Sequence, residues 1–441
     1  GKNYTAVVNA EDWTLPQKQS MQFTIDVVSG LKFGIPFPEK GETPATITID
    51  WGDGNIVTVP KGTKLVWDDA FTHTYAETNR YQITLTSEAS ASKQQIPKFN
   101  FRNRHNQVDP QKLVSLDTPL LNMNEESLAS SFLGCKNLEK VAEGLFEKNT
   151  KATNFNDCFQ GCEKLQKVPE GLFEKNTLAT GFANCFYKCM ALHKVPEGLF
   201  AKNTLATTFK TCFAECGLWE VPEGLFANNT EVTNFYGCFI ECGSLKEVPA
   251  GLFASNTKAE VFSYCFCKCI NLSEVPAALF QKNTLARLFI GCFKNCVTLM
   301  EVPEGLFANN TKVTNFSYCF QNCEILGKVP ERLFASNTLA TNFSYCFQDC
   351  INLIMNKNIF EDAPYNFGTR FFGKEMNFTS CFQKAGSNKK KGSPAPELWR
   401  YSMGATWSMT DCFTDCKMIK DDTGMTNYQE GKWGKPVYVQ Q

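Results

Sequence analysis

Paired cysteines are the residues of this chain whose type and spacing could do chemistry. The sequence holds 21 cysteines, and eighteen of them form nine Cys-x-x-x-Cys pairs, from Cys158/Cys162 to Cys346/Cys350 and then Cys412/Cys416. Thiols at this spacing could form disulfides, bind a metal or fill a packed interior. Because the pairs recur with a sequence repeat, their pattern favours a packing column.

The geometry expected of the pairs disfavours disulfides. Two residues four apart on a helix have Cβ atoms about 5–6 Å apart, whereas a disulfide brings them to about 3.8 Å. Zinc needs four convergent ligands, and His73, His105 and His193 do not stand beside other ligands. We therefore predict buried free thiols, with scattered disulfides and a metal site as less favoured alternatives. Cys267 lies outside the pairs and is the one thiol expected to be reactive.

The elements that position the cysteines follow from the repeat. The first cysteines of the pairs up to Cys346 are 27 residues apart, except for one step of 26. A fixed period of this size indicates stacked structural units. Apolar residues three or four apart predict a short helix up to the second Cys of each pair, and a very short strand is expected over 165–168. Phenylalanines at the positions of Phe155, Phe159 and Phe173 are predicted to form the core rather than to stack on a ligand.

Residues 20–87 follow a different pattern. Apolar and polar residues alternate over 22–27, 46–50 and 81–86, with Gly and Pro between the runs. This alternation predicts an antiparallel β-sandwich. We therefore predict two domains, a β-sandwich over 1–95 and a repeat domain over 96–441.

Two motifs in the N-terminal region carry a family resemblance. They are Ile49-Asp50-Trp51-Gly52-Asp53-Gly54 and Thr72-His73-Thr74-Tyr75. Together with 81–85 they resemble the polycystic-kidney-disease (PKD) type of immunoglobulin-like domain. The resemblance implies that Asp50, Asp53 and His73 serve the scaffold rather than chemistry.

The repeat units also resemble a known family. Units such as Cys319-Phe320-Gln321-Asn322-Cys323-Glu324-Ile325-Leu326 are similar to the BspA-like leucine-rich-repeat surface proteins of Bacteroides-type bacteria and their mycoplasma relatives. With degenerate units around Phe132, Cys381 and Cys412 included, the expected fold is a mixed one, in which the sandwich is followed by an α/β leucine-rich-repeat solenoid of about eleven units. The resemblance implies a lipid-anchored outer-membrane protein that mediates adhesion or protein contact, and it transfers no catalytic residue.

The balance of charged residues bears on which classes of partner the chain can attract. The chain has 44 basic and 45 acidic residues and a net charge of −1, so no global field attracts nucleic acid or an anionic membrane. Because the chain begins at Gly1 without an initiator Met, we expect that a targeting segment and N-terminal anchor were removed, and membrane contact only through that anchor. We expect a cell-surface or extracellular location. The expected partner is a host or bacterial surface protein, or a glycan.

The residues bear on three functional classes. A non-catalytic adhesion or protein-binding module leads, and an accessory carbohydrate-binding or substrate-capture protein is the alternative. Exposed aromatics on one face would favour that alternative, but Trp219 is the only Phe, Tyr or Trp at its repeat position. An enzyme would need a cluster of acids, His or a nucleophile outside the repeat, and Asp117, Asp157 and Asp349 occupy ordinary repeat positions that favour solvation. We predict no catalytic residue, cofactor or metal.

The candidate binding face is the outward position two residues after the repeat Leu, here named the charge column. Its members are Lys140, Lys167, Lys194, Glu220, Glu247, Glu274, Glu301 and Lys328. Like charges about 5 Å apart in water repel by roughly 0.8 kcal/mol, so mixed signs would serve stability better. The blocks therefore suggest a polarised binding face, with simple copying of charges during duplication as the alternative. The basic segment 386–394 is predicted to be an exposed, mobile loop, either a second contact site or a plain insertion.

Overall fold

The structure is a computed structural model that describes residues 18–65, 70–102, 108–360, 373–398, 407–419 and 430–439. Its strands in chain order are β1 (Gln19–Val27), β2 (Lys32–Gly34), β3 (Ile47–Asp50), β4 (Ile56–Val59), β5 (Thr72–Thr74), β6 (Asn79–Ser87), β7 (Leu113–Leu116), β8 (Lys140–Val141), β9 (Lys417–Ile419) and β10 (Val437–Val439). Helix within the described residues is limited to α1 (Glu430–Trp433) and a 3-10 turn at Pro110–Lys112.

The N-terminal region, 18–102, is named the sheet module. Its longest pairing is antiparallel, with β1 against β6 over nine residues each, and β3 pairs antiparallel with both β4 and β6. Alternate side chains of β1 are buried, among them Phe23 and Ile25, because successive residues of a strand face opposite sides of the sheet. A second small sheet pairs β2 with β5.

The principal sheet continues past residue 95 into the repeats. Its six strands lie in the order β4-β3-β6-β1-β7-β8. Strand β7 pairs antiparallel with β1, and β8 pairs parallel with β7. Since β8 lies in the first repeat, the sheet module and the repeats share one hydrogen-bonded sheet.

Repeats over 127–416 form what we name the coil stack, in which each coil bridges to the next in parallel at the residue before the first Phe, or before Leu128 and Met409, which replace that Phe in the end coils. The bridged residues are Ser127, Asn154, Gly181, Thr208, Asn234, Val261, Leu288, Asn315, Asn342, Asn377 and Ser408. A second series of bridges joins Glu301 to Lys328 and Lys328 to Ile354.

The predicted fold class is wrong for these repeats, which are not an α/β leucine-rich-repeat solenoid. The Cys-x-x-x-Cys segments are successive turns rather than helices, and residues 165–168 form no strand. Alternate amides bond within the coil to a carbonyl three residues back, as from Cys158 to Phe155 and from Cys162 to Phe159. The amides between them donate to the next coil, as from Phe159 to Cys185 at 2.8 Å. Half of the donors that a helix needs are therefore used between coils.

Each turn segment contains two residues in the left-handed region. In the coil that begins at Phe155 they are Asp157, with φ 56°, and Gly161, with φ 74°. Gly, Asn and Asp tolerate this conformation best, and many coils carry one of them at these two positions. The left-handed residues turn the chain back at regular intervals, and this exposes alternate amides to the neighbouring coil.

Stacked phenylalanine rings fill the interior. Phe159 and Phe186 stack with centroids 5.5 Å apart and ring planes within 2° of each other, and Phe173 and Phe182 meet edge to face at 5.1 Å. All four side chains are fully buried. Each buried ring contributes roughly 1.5–3 kcal/mol of transfer free energy, so the prediction that Phe columns form the core is confirmed.

A buried asparagine column runs beside the rings. Its members include Asn176, Asn203, Asn229, Asn256, Asn283 and Asn310. The Nδ2 of Asn229 donates to the carbonyl oxygens of Asn203 at 2.9 Å and Phe200 at 3.0 Å in the preceding coil. Each amide thus gives a second donor to buried carbonyls that already accept a backbone amide within their own coil, as those of Phe200 and Asn203 do.

Candidate binding faces of the coil stack

All eight members of the charge column are exposed. They follow the buried repeat leucines, such as Leu245 and Leu272, by two residues, and the buried Val that comes next returns the chain to the core. The burial of the flanking residues thus forces the position between them outward.

Ion pairs engage the charge column at two places. Lys194 and Glu220 meet at 2.6 Å where the basic block borders the acidic block, and Lys140 lies 3.3 Å from Asp117 of the sheet. No ion pair within the described residues engages Glu247, Glu274 or Glu301. The acidic block therefore presents its charge to solvent.

Exposed apolar side chains border the acidic block. Trp219 is 46% exposed and precedes Glu220, and Met300 is 48% exposed and precedes Glu301. Trp219 stacks on His193 with centroids 4.9 Å apart, and the Nζ of Lys194 lies 5.8 Å from its ring centroid. The ring thus packs on the preceding coil, and about half of the residue remains exposed to solvent.

A second face lies on the turn segments and is named the tyrosine strip. It consists of Tyr236, Tyr264, Tyr318 and Tyr345. Tyr236 and Tyr264 meet edge to face at 5.6 Å, and Tyr318 and Tyr345 stack at 4.8 Å with planes 4° apart. A Cβ added at Gly291 would lie only 2.5 Å from the Tyr264 ring, so that ring lies across the glycine of the next coil.

Sequence reasoning missed the tyrosine strip, although a signal was present. Ser-Tyr-Cys-Phe recurs at Tyr264, Tyr318 and Tyr345. The periodicity of the sequence assigns these positions to the exposed surface of separate helices, and aromatic residues on separate helices do not predict contact between their rings. Stacking brings the recurring position into one line.

Comparisons of the chain with protein-family models and with curated proteins find no match. Its function is therefore inferred from the geometry of its surfaces. Among the residues the structure describes, no three His, Cys, Asp or Glu side chains are grouped so that they could hold a metal ion. Nor does any helix in those residues combine the length and apolarity needed to cross a bilayer.

The cysteines are all free and buried, which confirms the predicted packing column. The second thiol of each regular pair lies near a Phe carbonyl oxygen of the preceding coil, as Cys242 does at 3.1 Å from Phe213. Cys267 corrects the prediction of a reactive thiol. It is 4% exposed, and burial raises its pKa to about 11 although Lys294 and Lys268 oppose the shift. Such a thiol stays protonated at neutral pH and is a poor nucleophile.

The motif residues of the sheet module support its turns. Asp50 accepts the amide of Gly52 at 2.9 Å, and Asp53 lies 2.7 Å from the Nε2 of His73. Burial opposes the ionisation of Asp53, but its hydrogen bonds with His73 and Asn55 outweigh burial and lower its pKa. The His73 ring also stacks on Trp51 at 5.3 Å. These contacts are those of a scaffold.

Three other acids have structural partners. Asp117 accepts hydroxyl hydrogen bonds from Thr24 at 2.7 Å and Ser115 at 2.8 Å, and these lower its pKa although burial opposes them. Asp157 accepts from the side chain of Asn184, and Asp349 pairs with Lys384. The expectation that all three are simply solvated is therefore wrong, because each is held by a hydrogen bond or an ion pair.

The basic segment 386–394 is anchored rather than free. The amide of Asn388 donates to Ile351 at 2.9 Å, and Ser393 donates to Lys417 at 3.3 Å in β9. Lys390 and Lys391 are exposed, while Lys389 is half-buried and its carbonyl accepts from the Nζ of Lys417. The lysines therefore project from a segment that is bonded on both sides.

Proposed function

We propose that this chain is a non-catalytic bacterial cell-surface protein that mediates adhesion or protein–protein binding through the charge column. The observation that carries the proposal is the unpaired, exposed acidic block of Glu247, Glu274 and Glu301 beside Trp219 and Met300. Like charges in a row raise the energy of the free protein unless a ligand of opposite charge neutralises them. Exposed Trp and Met beside such a block are the anchors that protein interfaces use.

The partner that fits this face is a protein with a complementary polarity. A basic segment would oppose 220–301, and an acidic segment would oppose the lysines at 140, 167 and 194. Electrostatic complementarity of this kind acts mainly on the rate of association and on specificity. Binding should therefore weaken as added salt shortens the Debye length below about 10 Å.

Charge reversal tests the proposal. We expect Glu247→Lys with Glu274→Lys to weaken capture of the proteins retained from a host and bacterial surface-protein array at least tenfold at low salt. Thermal unfolding should change little, because exposed substitutions alter stability by about 0.5 kcal/mol or less. The matched control is Glu170→Lys with Glu197→Lys, which makes the same charge change at exposed positions of adjacent coils outside the column. Equal loss in both double variants would contradict the proposal.

Carbohydrate capture is the second candidate function. The observation that favours it is the tyrosine strip, in which Tyr236 meets Tyr264 and Tyr318 meets Tyr345 across neighbouring coils. The two functions require different side chains and can be tested independently.

A further inference from the structure

The charge column changes sign once along its first six coils. Its members there are three lysines followed by three glutamates, all exposed, in the order Lys140, Lys167, Lys194, Glu220, Glu247 and Glu274. The change of sign, between Lys194 and Glu220, is named the midpoint. At equal distances on the two sides of the midpoint the column carries opposite charges. A row of charges with this order is complementary to its own reverse.

A second copy of the chain can face the column with its coils in the same order or in the opposite order. The same order places every member against itself, so like charges meet throughout. The opposite order, centred on the midpoint, brings opposite charges together in three pairs: Lys194 with Glu220, Lys167 with Glu247, and Lys140 with Glu274. Among opposite-order alignments that overlap more than two of the eight column positions, this one alone has no like pair.

The other charged side chains that flank the column fit the same alignment. Of the residues just before the column, Glu139 falls against Ser273, and Lys246 falls against Gln166. Nearer the cysteines, the charged residues Lys136, Glu163 and Lys164 fall against Ile270, Gly243 and Ser244. No two side chains of the same charge are opposed at these positions.

A row of glutamates lies at the Pro-Glu-Gly corner, three residues after the column. Its members on the six coils are Glu143, Glu170, Glu197 and Glu223, and the last two coils carry Ala250 and Ala277 instead. The alignment sets the first two glutamates against the two alanines. Glu197 and Glu223 are the one like pair, and Glu223 is turned toward the next coil, where its carboxylate accepts the amide of Gly251 at 3.0 Å.

The coil beyond the six falls against the sheet of the other copy. Glu301 lies opposite Ser115 of β7, the residue that pairs with Lys140 in the sheet. Ser115 carries no charge, and Asp117 beside it is ion-paired with Lys140 at 3.3 Å. The alignment therefore does not oppose two unpaired acids where the overlap of the columns ends.

Exposed apolar side chains lie on the two coils beside the midpoint. Trp219 is 46% exposed and Met190 is 49% exposed. The alignment places Trp219 against His193 of the second copy, and Met190 against Gly217, where the coil is one residue shorter. An aromatic side chain near the centre of a contact, surrounded by polar pairs, is the arrangement in which a few residues provide most of the binding energy.

Half of the six charges have no partner of their own. Within the described residues, no ion pair engages Lys167, Glu247 or Glu274. Lys194 and Glu220 pair at 2.6 Å, and the alignment brings two such pairs side by side with alternating signs. A reversed second copy thus neutralises the unpaired charges without breaking the pair at the midpoint.

We propose that the charge column joins two copies of this chain face to face and in opposite directions, with a two-fold axis between Lys194 and Glu220. This inference rests on the proposed function and names its partner as a second copy of the chain. Because both copies contribute the same surface, each of the three lysine–glutamate pairs forms twice. The six coils span about 24 Å along the stack at a spacing of about 4.8 Å.

Single charge reversals and their mixture test the proposal. The purified full chain is examined by sedimentation equilibrium at low salt. We expect Lys167→Glu and Glu247→Lys each to weaken the dimer at least tenfold, because each change opposes like charges at two places. An equal mixture of the two variants should associate again, to within about threefold of the unaltered chain, since every reversed charge then meets its opposite.

Two double variants of equal net charge test the alignment. Lys167→Glu with Glu247→Lys exchanges the charges of one pair and should dimerise as the unaltered chain does. Lys167→Glu with Glu274→Lys makes the same kinds of change at positions that are not partners, so it should stay monomeric. Both variants alter only exposed side chains, which leaves the fold intact.

The tryptophan provides a separate test of the midpoint. Trp219→Gln introduces the residue that Gln166 supplies at the same place two coils earlier, and it should weaken the dimer at least tenfold. The matched control is Met300→Gln, an equally exposed apolar position outside the six coils, whose effect should be about threefold or less.

The outcomes separate this inference from the proposed function. A chain that stays monomeric at about 100 μM in low salt, a mixture that fails to associate, or equal dimerisation of the two double variants would each overturn the proposal. If the chain is monomeric and Glu247→Lys with Glu274→Lys still abolishes capture from the surface-protein array, the column binds another protein and only the second copy is excluded. If neither association nor capture depends on the column, the proposed function fails as well.

Discussion

The sheet module and the coil stack meet the same backbone requirement in different ways. In the sheet module, β1 and β6 face each other over nine residues, and the antiparallel ladder satisfies their amides and carbonyls. Coils of the stack bridge in parallel at single residues, while turns satisfy alternate amides and the buried asparagines add a second donor to carbonyls of the preceding coil. A ladder tolerates varied side chains, whereas the stack of turns repeats Phe, Cys and Asn at the same interior positions in successive coils.

Their interiors differ as well. The sheet module contains no cysteine, because the first in the sequence is Cys135, and it relies on groups such as Trp51, Tyr75 and the Asp53–His73 contact. The coil stack is lined by thiols, Phe rings and amides. Because the same residue types recur in every coil, a change in pH that affects one buried thiol affects the whole coil stack.

Alkaline pH should produce the largest difference in stability between the coil stack and the sheet module. Burial raises the pKa of every cysteine in the chain. A raised folded pKa stabilises the protein fully below the unfolded value, and that stability is lost as the pH rises toward the folded value. Each thiol then costs about 1.4 kcal/mol per pH unit above an unfolded pKa of about 8.5. Summed over 21 thiols, the loss is of order 30 kcal/mol within one unit.

That sum exceeds the whole stability of an ordinary domain, about 5–15 kcal/mol. We therefore expect the coil stack to unfold cooperatively between about pH 9 and 10, measured as thiol alkylation mapped by mass spectrometry. Strands β1, β3 and β6 should resist proteolysis over the same range. Cys238→Ala with Cys242→Ala is the control, since it should make the dependence on pH shallower. If the thiols stayed unreactive toward alkylation at pH 10.5, the expected unfolding of the coil stack at alkaline pH would be contradicted.

Removal of one buried amide should have the next largest effect. Asn229→Ala removes the side-chain donor from the carbonyls of Asn203 and Phe200, which keep their backbone donors. Two hydrogen bonds of about 0.5–1.5 kcal/mol each are lost, and the truncated side chain leaves a buried cavity that adds to the cost. We expect the free energy of unfolding, measured in urea, to fall by about 2–4 kcal/mol.

The neighbouring residue provides the matched control. Asn228 is exposed and donates to Ala201 at 3.1 Å, so Asn228→Ala should lower stability by about 0.5 kcal/mol or less. Similar losses in the two variants would show that the stack does not depend on buried amides.

Acid pH should have the smallest effect and should act on the sheet. Because hydrogen bonds lower the folded pKa of Asp117, its contribution is present above the unfolded value and is lost as the pH falls through the folded one. We expect Asp117→Asn to lower stability at pH 7 by about 1.5–3 kcal/mol, the range for hydrogen bonds to a charged group.

The difference between the variant and the unaltered protein should shrink as the pH falls below about 4, because the unfolded chain then binds a proton that the native carboxylate, with its lowered pKa, resists. Amide exchange at β1 and β7 measures the effect in the strands that Asp117 contacts. If Asp117→Asn lowered the stability equally at pH 7 and pH 3, the loss would come from altered packing rather than from removal of the carboxylate charge.

Several features of the fold were predictable from particular residues. The period of the cysteine pairs indicated a stack, and the constant Phe and Leu positions identified its buried columns. The outward charge column was predictable because Leu245 and Val248 bracket Glu247 with buried positions. Asn229 was visible only as part of a recurring Asn-Thr pair, and its place in the interior was not inferred.

The hydrogen-bonding scheme was not predicted, for a physical reason. Apolar residues three and four apart face one side both in a helix and in a succession of turns that bond three residues back. Asp157 and Gly161 stand at left-handed positions, as do Asn184 and Gly237 at the position equivalent to Asp157, and these residues were the available signal for turns.

By itself, the sequence determined the buried columns of Phe, Leu and paired Cys, because burial follows from apolarity repeated at a constant period. Only the tertiary structure decided which carbonyl each amide uses, since the acceptor of Phe159 lies on Cys185 of the next coil and exists only once the coils stack. The same stacking decided that Tyr318 and Tyr345, 27 residues apart, lie face to face at 4.8 Å. Neighbours in space across coils are distant in sequence, so the surfaces that bind are formed by the stack rather than by any one repeat.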